Sequence, residues 1–157
     1  MNFLSSLKFI VIKTYDARRH LLFKSIEKIG LNEPFLPIYY RFDNLIEELS
    51  NENSEIFVLV DDNTVVGFIV YENTNNSIHI KSICVDNSFK QKGIGRMLIT
   101  YIKRKDKDIS LYVQCVNINA IQFYLTIGFH LIEYIGDYYS TLNDKPAYKM
   151  ILKVLKS

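Results

Sequence analysis

The sequence has no tryptophan and only two cysteines, three prolines and six glycines among its 157 residues. So little Pro and Gly excludes a collagen-like repeat and a low-complexity chain. Two cysteines cannot build the disulfide framework of a small secreted scaffold. Cys84 and Cys115 both lie in apolar runs, where buried free thiols of a reducing compartment are expected. No window approaches 18 uninterrupted apolar residues, so no membrane-spanning helix is read. Residues 1–8 lack a basic segment ahead of a long apolar core, so no secretory signal is read there either. A formal charge of +2 is too small to argue for nucleic acid, and no Cys, His or carboxylate spacing suggests a metal site. What is present is an apolar fraction of 48% against 23% charged residues, enough for one domain over 1–157 with a sizeable core. A soluble, cytoplasmic single-domain protein is the expectation.

The hydrophobic period alternates along the chain, which predicts a mixed α/β fold. Strands are expected over 9–12, 55–60, 65–71, 78–85, 109–115, 129–135 and 147–154, where β-branched and aromatic residues concentrate. Helices are expected over 16–29, 43–49, 94–104 and 120–127. Asp16 is the expected N-cap of the first and Gly30 its stop, while Gly128 ends the last. Pro34 and Pro37 bar regular helix from 32–37.

The segment 83–98 reads strand, short loop, Gly93-Ile94-Gly95, helix. A helix N-terminus offers unpaired N–H groups and the positive end of a dipole, and glycines at its entrance admit a phosphate close to the backbone. Lys90, Lys92 and Arg96 add positive charge, so the loop suits a pyrophosphate. A dinucleotide fingerprint would need glycine at Leu98, and a P-loop would need Lys-Ser/Thr after the second glycine, where Arg96-Met97 stand. The plainer alternative is an ordinary helix start with two glycines and solvated lysines.

A second block, Asn117-Ile118-Asn119-Ala120-Ile121-Gln122-Phe123-Tyr124-Leu125-Thr126-Ile127-Gly128-Phe129, lies downstream. Together the two blocks resemble the GNAT superfamily of acetyl-CoA-dependent N-acetyltransferases over roughly residues 8–154. The family's phosphate loop, Gln/Arg-x-x-Gly-x-Gly/Ala, is matched by residues 90–95, with Lys90 at the position where Gln or Arg is usual. The resemblance implies a central, mostly antiparallel seven-stranded sheet with helices on both faces, splayed between 78–85 and 109–115 where the acetyl-pantetheine arm lies. It makes Ile83, Cys84 and Val85, then Lys90, Gln91, Lys92, Gly93, Ile94, Gly95 and Arg96, and finally Asn117, Ala120 and Tyr124 the expected acetyl-CoA contacts. It also implies that backbone amides near Ile83 and Val85 polarise the thioester carbonyl and that Tyr124 protonates the departing thiolate. The alternatives are a helix cap for Asn117 and a core aromatic for Tyr124.

Two further stretches resemble the peptide-gripping loops of protein N-terminal acetyltransferases, most closely the NatE-type, with the ribosomal-protein-type near by. They are Phe35-Leu36-Pro37-Ile38-Tyr39-Tyr40 and the pair Tyr138-Tyr139. Leu36, Pro37 and Ile38 are thereby implied to line a pocket for a first apolar side chain, with Tyr40, Tyr138 and Tyr139 gripping the peptide backbone. Leu36 departs from the family's Phe, and eleven tyrosines make chance pairs easy. The NatE-type pattern pairs a Tyr and a His through an ordered water, and the matching positions here hold His79 and Tyr112, the residue types exchanged between the strands. His79 is then the expected base, against the alternative of a satisfied strand histidine. The implied reaction is direct acetyl transfer to a protein N-terminus, one beginning with Met by the NatE-type resemblance, with another acetyltransferase complex or the ribosome as partner and neither nucleic acid nor membrane. Transfer to lysine, polyamines or small amines stays open, as does a non-catalytic acetyl-CoA-binding subunit.

Overall fold

A computed structural model describes residues 3–14, 16–34, 42–139 and 145–154, without the side chains of residues 42, 137–139 and 145. Seven strands form one sheet: β1 (Lys8–Val11), β2 (Ser54–Asp61), β3 (Thr64–Asn73), β4 (Ser77–Val85), β5 (Asp108–Gln114), β6 (His130–Tyr139) and β7 (Lys145–Leu152). Their order is β1-β2-β3-β4-β5-β7-β6, and every neighbouring pair is antiparallel except β4 and β5. Among the described residues, four α-helices cover it: α1 (Arg19–Leu31), α2 (Phe42–Ser50), α3 (Ile94–Lys103) and α4 (Ile118–Ile127). Among the described residues, no helix is long and apolar enough to cross a membrane.

β2 and β3 are nearly continuous apolar runs because both of their faces are covered. On one face Leu22, Phe23 and Ile26 of α1 and Leu45 of α2 pack against Ile56, Val58, Phe68 and Val70. On the other, Leu98, Ile99 and Ile102 of α3 join Leu59, Ile69, Leu111 and Phe129. A two-residue turn joins β2 to β3, with Asp62 at φ 57°, the positive φ that tight hairpins require.

Three local expectations are corrected. Asp16 does not cap α1; Arg18 occupies that position, and Asp16 instead accepts the Arg18 backbone N–H at 2.9 Å and its guanidinium. Those hydrogen bonds hold its carboxyl below the usual carboxylate range. Gly30 does not stop the helix. It is buried within α1, and the chain leaves at Asn32, two residues before Pro34, where the pre-proline position disfavours helical backbone. Cys115 is half-buried rather than buried; Cys84 is buried, and both are free thiols.

Candidate active site

The site begins where the parallel ladder fails. β4 and β5 pair from Ser77↔Asp108 to Ile80↔Leu111 and then separate. On its other side β4 stays paired with β3, but the register passes from Tyr71↔Ile80 to Val70↔Ser82, leaving Lys81 as an extra, bulged residue. The bulge exchanges the faces of β4. Ile80 packs toward α3, and so do Ile83 and Val85, whereas Cys84 packs with α1. The Asp86 N–H bonds Val66 O on β3 at 2.9 Å. Because strand amides alternate in direction, those of Ile83 and Val85 face the open side, where β5 has left.

Lys81 anchors the bulge. Its Nζ lies 2.5 Å from Glu48 on α2 and 3.0 Å from Glu72 on β3, which ties the second helix to the point of separation. No sequence signal distinguished this lysine from a solvated strand residue, because its role depends on a bulge set by β3.

A cavity of about 800 Å³ occupies the wedge. Ile83, Cys84, Val85, Lys90, Gln91, Gly93, Ile94, Gly95, Arg96, Tyr112, Asn117, Ala120 and Tyr124 all line it, together with Ser82, Gln114, Asn119 and Phe123, which the sequence reading did not assign. The side chain of Cys84 belongs to the α1 face, where burial pushes its thiol up to about 12, so it is an inert packing group.

The loop into α3 is shaped by its backbone. Gly93 is the N-cap at φ 86°, and Gln91 also has positive φ (62°). Gly95 has a different reason: a Cβ there would meet Phe123 Cζ at 3.0 Å, so the second glycine lets α4 approach α3. Lys90 Nζ pairs with Glu33 at 3.2 Å. The Lys92 side chain does not join the cavity lining. Its ammonium sits 5.2 and 5.4 Å from the rings of Phe3 and Phe89, which stack on each other.

Asn117 is the N-cap of α4, its side chain accepting the Ala120 N–H at 3.3 Å while it also borders the cavity. Tyr124 is 7% exposed and its ring packs on Phe123 and Phe129, with centroids 5.3 and 5.4 Å away. Gly128 ends α4 at φ 117°, its N–H bonding Tyr124 O, which fixes the last turn beneath the phenol.

His79 and Tyr112 are brought together. Their ring centroids are 5.3 Å apart at 64°, and His79 Nδ1 lies 2.9 Å from Ser110 Oγ. His79 itself is not part of the cavity lining; it sits one residue before the last β4–β5 pair. Burial lowers its pKa below 6.5, with the positive charges of Lys149 and Lys81 adding to the shift and Glu72 opposing it. It is therefore neutral at pH 7. The expected peptide loop fares differently: Leu36, Pro37, Ile38 and Tyr40 lie outside the described residues, as do the side chains of Tyr138 and Tyr139. Among the described residues, no group of three His, Cys, Asp or Glu side chains could hold a metal ion.

A seven-stranded sheet that splays beside a glycine-led helix is the architecture that the resemblance implies, and comparison with known proteins bears the fold out. Residues 52–131, half of the chain, match the acetyltransferase (GNAT) domain. The sequence is 28% identical over 140 residues to an N-alpha-acetyltransferase of Saccharolobus solfataricus, covering 78% of this chain and 83% of that one. The crystal structure of Ard1 from Thermoplasma volcanium is similar with a TM-score of 0.68 at 25% identity, over 94% and 99% of the two chains. That of the ribosomal-protein-S18-alanine N-acetyltransferase of Escherichia coli shares the fold, with a TM-score of 0.77 at 18% identity over 96% of each chain. The chain belongs to the GNAT acetyltransferase family. It is an acetyl-CoA-dependent acetyltransferase.

Proposed function

We propose that this enzyme acetylates the α-amine of a protein N-terminus. The observation that carries the reading is that Tyr124 on α4 and Tyr112 on β5 line one wedge, with the His79 ring packed against Tyr112 at the edge of it. Its similarity to proteins named N-alpha-acetyltransferase supports the same substrate class.

The residues suit acetyl-CoA. A left-handed Gly93 turns the first amides of α3 outward at a helix N-terminus, with Arg96 in the cavity wall, a setting for a pyrophosphate. The open amides of Ile83 and Val85 give an extended, amide-bearing arm a strand edge to pair with, and one of them can polarise a carbonyl oxygen. When bound, acetyl-CoA supplies an activated thioester that an amine attacks directly. His79 takes the proton of the attacking amine through a water shared with Tyr112, and Tyr124 gives its phenolic proton to the sulfur as the C–S bond breaks and the C–N bond forms.

His79 is a weak base, and that favours the substrate named. An α-amine of pKa about 7.7–8.0 is roughly one-fifth neutral near pH 7.3, whereas a lysine amine near 10.4 is neutral about one time in a thousand. A base whose pKa lies below 6.5 suits the first and not the second.

The test is acetyl transfer to peptides starting Met-Leu, Met-Lys, Ser-Ala and Ala-Ser, each with a free or a blocked N-terminus, plus a blocked peptide with an internal lysine. Transfer confined to free N-termini, Met-starting peptides foremost, is the expected result. Transfer to the blocked lysine peptide alone would overturn it, and acetyl-CoA binding without any transfer would reassign the protein as a binding subunit. A second prediction concerns pH. Because His79 acts only when neutral and its pKa is depressed, its own acid limb in kcat at saturating substrates lies below pH 6.5, beneath the limb that protonation of the substrate α-amine sets at about 7.7–8.0. In His79→Phe that acid limb disappears along with most of the rate. That limb unchanged in the variant would remove His79 from the mechanism.

A further inference from the structure

A neutral imidazole carries one proton on one of two nitrogens, and only the other nitrogen can act as a base. The reading of His79 as proton acceptor therefore leaves a question that its position alone does not answer. Among the described residues, the ring's hydrogen-bond partner is Ser110, the direct Cα partner of His79 across the parallel β4–β5 pair. A serine hydroxyl can donate or accept. If it donated to Nδ1, the ring would carry its proton on Nε2 and have no lone pair left for chemistry.

We propose that Ser110 is a positioning residue of this active site: its hydroxyl accepts the Nδ1–H of His79 and so keeps the Nε2 lone pair available to take a proton. This rests on the reading of His79 as the base. The placement suits the task. Ile80↔Leu111 is the last pair before the strands separate, so His79↔Ser110 is the last pair on its face still held by the ladder. Sheet hydrogen bonds fix both backbones there, while the neighbouring Tyr112 already borders the open cavity. The imidazole is thus oriented by rigid structure at the edge of a gap. A carboxylate in the same place would raise the basicity of the ring; a neutral hydroxyl fixes the tautomer and adds no charge. The charged groups around the ring are Glu72 on β3, Lys81 on β4 and Lys149 on β7, with Glu48 of α2 reached through Lys81. All of these persist when Ser110 is changed, so a shift in the variant reports the hydroxyl.

The experiment has two readouts on the full chain. The first is the side-chain nitrogen shifts of His79 at pH 8, assigned by their loss in His79→Phe among the three histidines of the sequence. The wild type is expected to show Nδ1 protonated and Nε2 bare. Ser110→Ala is expected to lose that single-tautomer signature, and Ser110→Thr, which keeps the hydroxyl, to restore it. The second is kinetic: Ser110→Ala lowers kcat by about tenfold and moves its acid limb to lower pH, because the imidazolium loses a hydrogen-bond acceptor, with KM for acetyl-CoA unchanged. A wild-type His79 protonated on Nε2 would overturn the proposal, as would a Ser110→Ala variant with unaltered kcat and pH profile. The parent reading fails separately: a fully active His79→Phe would sink the base, whereas a slow His79→Phe beside an unaltered Ser110→Ala would sink only the positioning role.

Discussion

Tyr124→Phe is expected to lower kcat by about 10²–10⁴-fold, the usual contribution of one positioned acid, while leaving acetyl-CoA affinity near the wild-type value. The ring of Tyr124 is held on both sides by Phe123 and Phe129, and phenylalanine keeps both contacts. The α4 turn beneath it is fixed by Gly128 and does not depend on the hydroxyl. What the variant lacks is the proton. A phenol is a fair donor to a departing thiolate, and water is excluded from much of this buried position. Single-turnover rates with saturating acetyl-CoA, set beside calorimetric Kd values, separate the two effects. A rate within threefold of wild type would return Tyr124 to the status of a core aromatic.

The second large effect lies away from the reacting groups. Gly67→Val is expected to destabilise the fold by about 3 kcal/mol, which for a chain of this size lowers Tm by roughly 6–12 °C. A Cβ at position 67 would stand 2.8 Å from Ile94 Cγ2, 3.3 Å from Cys84 O and 3.4 Å from Leu98 Cδ1. Ile94 is the first residue of α3, directly after the Gly93 cap, so relief by movement of the helix also displaces the amides that face the cavity. The variant should accordingly bind acetyl-CoA more weakly even at temperatures where it is folded. Gly136→Ala is the control. Gly136 is exposed, and a Cβ there would meet the Tyr134 ring only at 3.6 Å, an ordinary contact. Equal melting temperatures for Gly67→Val and wild type would show that α3 is seated more loosely than the contacts require.

The sequence and the structure agree where signals are local. Central strands show as unbroken apolar runs, because burial on both faces leaves no polar position. Gly93 and Gly128 are legible because a positive φ at a helix end selects glycine whatever surrounds it. The wedge itself follows from resemblance alone. Nothing in residues 78–85 announces that Lys81 is bulged, since the bulge exists only relative to the Val70–Tyr71 step of β3. Ser110 is hidden for the same reason: it becomes a partner of His79 only through a parallel register between strands 31 positions apart. Gly67 looks like an interruption in a strand until Ile94 is seated on it. Asp16 misleads in the opposite sense. A good capping residue at a plausible place spends its carboxylate on a turn two residues early.

The separation of β4 from β5 gives the protein an internal sheet edge. An exposed edge invites any passing strand, and proteins usually blunt theirs with charge, proline or a covering loop. Here the edge faces a cavity walled by residues of α3 and α4 rather than the outer surface of the sheet. It makes the fold incomplete by a few hydrogen bonds until a guest fills it, and a guest present at a hundred times its Kd adds about 2.7 kcal/mol to the stability of the folded state. Under the proposed reading that guest is the acetyl donor, which is then also a structural member of the enzyme. A cell depleted of it would hold a less durable catalyst as well as an idle one.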